Sequence, residues 1–143
     1  MLGVFLFVLV LLIYSFVLSL DILEKLIKSE TSNIFETIKN NINNYSGIKI
    51  SLCIIGLFIG FWNFFAPDFG AMYTPSILGA FLPSVALLLD SILLYPSMIE
   101  VLNLNEDLKK KYYTFLENYN KIAGPMTFIV AILHIPLNSV LIF

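Results

Sequence analysis

The chain has 143 residues, of which 59% are hydrophobic, and a mean hydropathy of +0.90, well above the roughly half-apolar composition of soluble domains. The net charge is -2 and all eight basic residues are lysines. Because arginine is the side chain that reads bases and phosphates in bidentate fashion, we expect no nucleic-acid partner. The lone cysteine, Cys53, excludes an intrachain disulfide. Composition therefore predicts an integral membrane protein, with the lipid bilayer as its first partner.

Four apolar segments are each close to the ~20 residues with which a helix crosses ~30 Å of hydrocarbon. The first lacks the basic start and the cleavage site of a signal peptide, so we expect a retained anchor. The second and third are joined by a short connection and form a helical hairpin. The predicted spans are residues 2–20, 48–66, 75–95 and 125–143.

Charged segments follow the first and the third span, and in both of them apolar residues recur every three to four positions. Asn33 and Glu36 resemble a capping box, and Asn105 precedes an acidic first turn of Glu106 and Asp107. We predict amphipathic helices at 33–46 and 105–122. The order of span, amphipathic helix and span occurs twice. This order fits either a duplication into two similar halves or an ordinary alternation of spans and loops.

The predicted fold class is all-α, with one membrane domain over residues 1–143. It consists of four transmembrane helices and two cytoplasmic amphipathic helices. Every lysine lies within 21–49 or 100–121, and short loops that carry lysine stay on the cytoplasmic side. Both termini are then outside, and we expect the protein in the inner (cytoplasmic) membrane of a bacterium.

Small residues recur at helical spacing in the second and third spans. Gly56 and Gly60 form a GxxxG motif, and Ser76, Ala80 and Ser84 repeat the small-xxx-small pattern. Such faces let helix backbones approach closely where lipid provides no hydrophobic force. These five residues are candidates for helix packing, either within one chain or in a homodimer.

Four polar residues lie within or at the ends of the apolar spans: Asn63, Asp90, His134 and Asn138. At 1.5 Å per residue, Asp90 lies roughly 8 Å and His134 roughly 14 Å from the cytoplasmic boundary, so a direct pair needs helix tilt, a bend at Pro136, or water. The pair has two interpretations, separate structural roles or proton and ion handling. Asn63 and Asn138 lie at similar depth, where an amide pair would bridge the second and fourth spans.

Other chemistries lack the residues that they need. One histidine and one cysteine cannot build a Cys/His metal site, and no nucleophile elbow, P-loop or dinucleotide motif occurs. We therefore expect no catalytic residue, cofactor or metal. The predicted function is a non-enzymatic structural or accessory subunit that packs with itself, as a homo-oligomer, or with a larger membrane complex. The alternative is a small oligomeric transporter or channel that uses Asp90 and His134 for proton or ion handling.

Overall fold

The computed structural model describes residues 2–27, 32–70 and 80–140, and all regular structure within those ranges is helical. The prediction of an all-α fold is confirmed. The described helices are α1 (Leu2–Leu26), α2 (Ser32–Asn44), α3 (Ser46–Phe65), α4 (Pro67–Gly70), α5 (Phe81–Leu94), a 3₁₀ helix (Pro96–Val101), α6 (Glu106–Asn120) and α7 (Ala123–Leu137).

Two of these helices, α1 and α3, are long and apolar enough to cross a membrane. α1 continues to Leu26, beyond the predicted end of the first span, because the Leu, Ile, Glu and Lys residues that follow Asp21 are compatible with a helix. α5 is a shorter apolar helix of 14 residues, and the predicted start of the third span at residue 75 lies outside the described residues. α6 and α7 together pass the same length and hydropathy test, but they are bent by 65° at the break between them.

The apolar helices pack as two pairs, α1 with α7 and α3 with α5, and α5 also contacts α7. The α1–α7 pair is antiparallel, since the Ser15 hydroxyl donates to the Gly124 carbonyl at 2.7 Å, whereas Phe7 contacts His134 near the other end. Side chains without exposed surface fill the space between the pairs. We call the following residues the apolar core: Phe7, Leu11, Leu87 and Ala131.

The glycines of α3 lie where neighbouring helices leave no room for a side chain. A Cβ on Gly56 would overlap the Ser91 hydroxyl and lie 2.6 Å from the Tyr14 hydroxyl, and one on Gly60 would lie 2.9 Å from Leu88 Cγ. The GxxxG face is therefore covered by α5 and α1 of the same chain.

Ion pairs attach the amphipathic helix α2 to the end of α1. Lys39 Nζ lies 2.6 Å from Asp21 Oδ1 and 3.0 Å from Glu24 Oε2. Hydrogen bonds to Asp21 and then to Glu24 raise the pKa of Lys39 above its usual range. These contacts hold the lysine-bearing segment against the apolar helices.

Similar contacts join α6 to the preceding 3₁₀ helix. Glu100 accepts a hydrogen bond of 2.8 Å from the Tyr113 hydroxyl and lies 3.1 Å from Lys109 Nζ. The hydrogen bond from Tyr113 and the one from Lys109 lower the pKa of Glu100. The Asn105 side chain accepts from the backbone N–H of Leu108 and caps α6.

The contacts of Gly56 predict that Gly56→Ala lowers stability by about 1–3 kcal/mol, because the added methyl group forces Tyr14 and Ser91 apart. Gly47→Ala is the matched control, since nothing lies within 4 Å of a Cβ at Gly47. Denaturant unfolding in detergent, followed by circular dichroism, measures both. An unchanged midpoint for Gly56→Ala would contradict the close packing. A change confined to the oligomeric state would instead favour the homodimer.

Candidate functional site: two buried polar clusters

A buried acid–base pair lies at the end of the structure where α3 ends and α5 begins. His134 Nε2 of α7 lies 2.5 Å from Asp68 Oδ1 of α4, and both side chains have no exposed surface. A hydrogen bond between an imidazole N–H and a carboxylate belongs to the short, strong class in which one partner is charged. It fixes the turn after α3 to the far end of α7.

The turn that carries Asp68 has an unusual backbone. Asp68 has φ 50° and Phe69 has φ 57°, the left-handed region that non-glycine residues rarely adopt. Asn63 supports this geometry, because its Oδ1 accepts the backbone N–H of Phe69 at 3.3 Å and its Nδ2 donates to the Ile59 carbonyl at 2.9 Å. Such backbone strain persists where surrounding contacts enforce it, and it is common at functional sites. We call Asn63, Asp68 and His134 the turn cluster.

An aromatic ring closes the turn cluster on one side. Phe7 of α1 meets the His134 ring edge to face at 5.7 Å and the Phe69 ring at 6.2 Å. Among the described residues, two buried polar atoms have no hydrogen-bond partner, His134 Nδ1 and Ser84 Oγ. Buried polar groups are nearly always satisfied, so the second ring nitrogen of His134 needs an explanation.

The second cluster surrounds Asp90. Thr127 Oγ1 donates to Asp90 Oδ2 at 2.7 Å, and the Tyr119 hydroxyl donates to Asp90 Oδ1 at 3.2 Å. All three side chains are buried. We call these residues the Asp90 cluster. It joins α5 to the last turn of α6 and to the first half of α7.

The apolar core separates the two clusters. Thr127, Ala131 and His134 lie on one face of α7, and Thr127 is about 10 Å from His134 along the helix axis at 1.5 Å per residue. On α5, Leu87 lies between Ser84 and Asp90 in the sequence. Leu87 and Ala131, which have no exposed surface, thus lie between the heights of the two clusters on their helices.

Asp90 and His134 have different partners in the structure. His134 pairs with Asp68, and Asp90 pairs with Thr127 and Tyr119. A direct pair, which the sequence allowed only with helix tilt, a bend at Pro136 or water, is not formed among the described contacts, because His134 lies about two turns further along α7 than Thr127, the partner of Asp90. An amide bridge between Asn63 and Asn138 is also absent among the described contacts. Asn63 bonds to the Ile59 carbonyl and to the Phe69 N–H, and Asn138 donates to the Ile135 carbonyl.

Sequence reasoning missed three members of the clusters, Asp68, Thr127 and Tyr119. Asp68 lies in the short connection between the second and third predicted spans. A signal was nevertheless present, since residues 50–89 contain no other Asp, Glu or Lys, and a lone charge between two apolar segments is expected to need a partner. Thr127 and Tyr119 carry no comparable signal.

The remaining candidates for helix packing lie at the start of α5. Ala80 and Ser84 are buried, and the Ser84 carbonyl would lie 3.3 Å from a Cβ on Gly60. Ser76 falls outside the described residues. Within the described ranges no three His, Cys, Asp or Glu side chains form a group that would hold a metal ion.

The fold and the site together define a class, an all-helical protein with two helices of membrane-spanning length and with several polar side chains buried among its apolar helices. The model of a protein family of unknown function matches residues 1–134. Since the match covers most of the chain, the protein belongs to that family. No curated protein and no solved structure matches the chain.

Proposed function

We propose that the protein is a non-enzymatic, four-span subunit of the inner (cytoplasmic) membrane, which packs with itself or with a larger membrane complex. The observation that carries the proposal is the distribution of polarity. Asp68, Asp90 and His134 have no exposed surface, whereas many large apolar side chains are exposed, with Phe58 of α3 exposed to 67%. In water such a surface promotes association, and in a bilayer it meets lipid or another membrane helix.

The packing of α5 and α7 supports four spans. α5 lies against α3 and α7 lies against α1, and both partners are long enough to cross a membrane. When two helices pack side by side and one of them crosses the bilayer, the other lies in the same hydrocarbon layer. The confinement of lysine to the segments around α2 and α6 supports a cytoplasmic position for these two amphipathic helices.

The contacts of the polar residues favour a structural role over an enzymatic one. Asp90 is held by donors from two other helices, and Asp68 is held by His134. Polar contacts of this kind join membrane helices to one another. The apolar exterior, with exposed residues such as Phe61 and Phe128, is then available to other membrane proteins.

The alternative, a small transporter or channel that uses Asp90 and His134, has less support. Transport through one chain requires a path between the two residues, and Leu87 and Ala131 of the apolar core lie between them. An oligomer would have to supply the path at its interface, yet both residues face the interior of their own chain.

The proposed topology predicts which sites an impermeant maleimide reaches in intact bacterial cells. In a Cys53→Ser background, Ser139→Cys at the end of α7 should label from outside. Asn40→Cys on α2 and Lys110→Cys on α6 should label only after the cells are opened. All three positions are exposed in the folded chain. A position that the maleimide does not label in intact cells is therefore shielded by the membrane and not by the fold. The reverse pattern of labelling would overturn the orientation.

The subunit role predicts protein neighbours at the apolar surface. A photoreactive phenylalanine analogue at Phe58 or Phe128 should form an adduct of one defined mass in native membranes, at twice the chain mass for self-association. The same analogue at Leu87, which has no exposed surface, is the control and should give no intermolecular adduct. Lipid adducts alone at both exposed positions would mean that the chain works without a protein partner.

A further inference from the structure

We propose that a pocket at the lysine-bearing end of the protein binds a phosphate group, carried by a lipid headgroup or present as a free phosphate ion. Lys49 supplies the charge that binds the phosphate, and Asn43 and Asn120 supply further hydrogen-bond donors. The inference adds a ligand to the subunit role above. Only the position of the pocket on the cytoplasmic side rests on the topology proposed there.

The pocket lies where five helices meet. Its lining comes from the second half of α1, from α2, from the start of α3, from the end of α5 and from the last residue of α6. Its volume of about 140 Å³ is several times what one water molecule needs. The polar residues of the lining are Asp21, Lys39, Asn43, Lys49 and Asn120. The space is therefore sufficient for a small polar group.

The pocket also lies at the level where the apolar helices end. Leu20 and Leu94 are buried and form part of its lining. Asp21 directly follows the first predicted span, Lys49 lies near the start of α3, and Leu94 is the last residue of α5. Charged side chains near the ends of membrane helices extend to the headgroup layer. A lipid phosphate is thus found at the same level as the pocket.

The charges of the lining leave one lysine available. The carboxylate of Asp21 is already paired with Lys39 Nζ at 2.6 Å, and Glu24, the second acid at Lys39, does not line the pocket. Lys49 is half-buried. No ion pair or side-chain hydrogen bond of Lys49 occurs among the described residues. Its ammonium group can therefore bind an anion from outside the chain.

Two carboxamides add donors to the same pocket. Asn43 of α2 and Asn120 of α6 line it, and within the described ranges neither side chain makes a hydrogen bond. Ammonium and amide N–H groups are both donors, and hydrogen bonds to an ionised acceptor are the stronger ones. A phosphate group presents more acceptor oxygens than a carboxylate, and their tetrahedral arrangement suits donors from three different helices. Phosphate is thus the anion that the lining fits best.

Thermal unfolding of the full chain in detergent, followed by circular dichroism, tests the site with three probes. They are dioctanoyl phosphatidylglycerol, dioctanoylglycerol, which lacks the phosphate, and inorganic phosphate. A ligand that binds only the folded chain raises the midpoint, and the rise gives an apparent Kd. We expect a rise with phosphatidylglycerol if the headgroup is the source and with inorganic phosphate if the free ion is. Dioctanoylglycerol should have no effect.

Lys49→Gln should weaken the binding of either phosphate probe by about five- to tenfold, the loss expected for one charged hydrogen bond at a half-exposed site. Lys49→Arg keeps the charge and should retain the binding. Lys110→Gln is the matched control, because Lys110 is exposed, lies outside the pocket and has no ion pair among the described residues. It should bind as the wild type does.

Three results would overturn the proposal. One is that neither phosphate probe raises the midpoint, and another is that dioctanoylglycerol raises it as much as phosphatidylglycerol does. The third is that Lys49→Gln and Lys110→Gln change the apparent Kd equally, which would mean unspecific attraction to lysine. None of these results would affect the labelling or cross-linking tests of the subunit role.

Discussion

A carboxylate inside an apolar helical protein must find a partner, and this requirement organises the structure. Removing the charge from water costs several kcal/mol, and only close, well-oriented hydrogen bonds offset that cost. Asp90 obtains them from Tyr119 and Thr127, and Asp68 from His134. Since Thr127 and His134 both belong to α7, the two acids fix one helix at two heights, against α5 and against the turn after α3.

Close packing of small residues completes this arrangement. Gly56 and Gly60 allow α3 to approach α5, and Gly124 allows α7 to approach α1 near Ser19. With the polar groups used internally, the outer surface is left to apolar side chains such as Phe58. This division is the reason why the proposed function lies in membrane packing.

The sequence predicts the helices well and their contacts poorly. Hydropathy and length locate α1 and α3, because membrane-spanning helices need long apolar segments whatever their neighbours are. The partner of His134 could not be predicted, because it depends on how α7 is rotated and on the left-handed backbone at Asp68, which sequence patterns do not encode. Depth estimates from residue counts did argue against contact between Asp90 and His134. They could not identify Asp68 as the partner, because it lies in the connection between two predicted spans and not within one.

His134 is coupled to Asp68 and not to Asp90, and two double-mutant cycles measure this coupling directly. His134→Gln is combined with Asp68→Asn in one cycle and with Asp90→Asn in the other, and the free energy of unfolding is measured in detergent. We expect a coupling energy of about 1–3 kcal/mol with Asp68, as for residues in contact, and additivity within about 0.5 kcal/mol with Asp90. Additivity with Asp68 together with strong coupling to Asp90 would contradict the account.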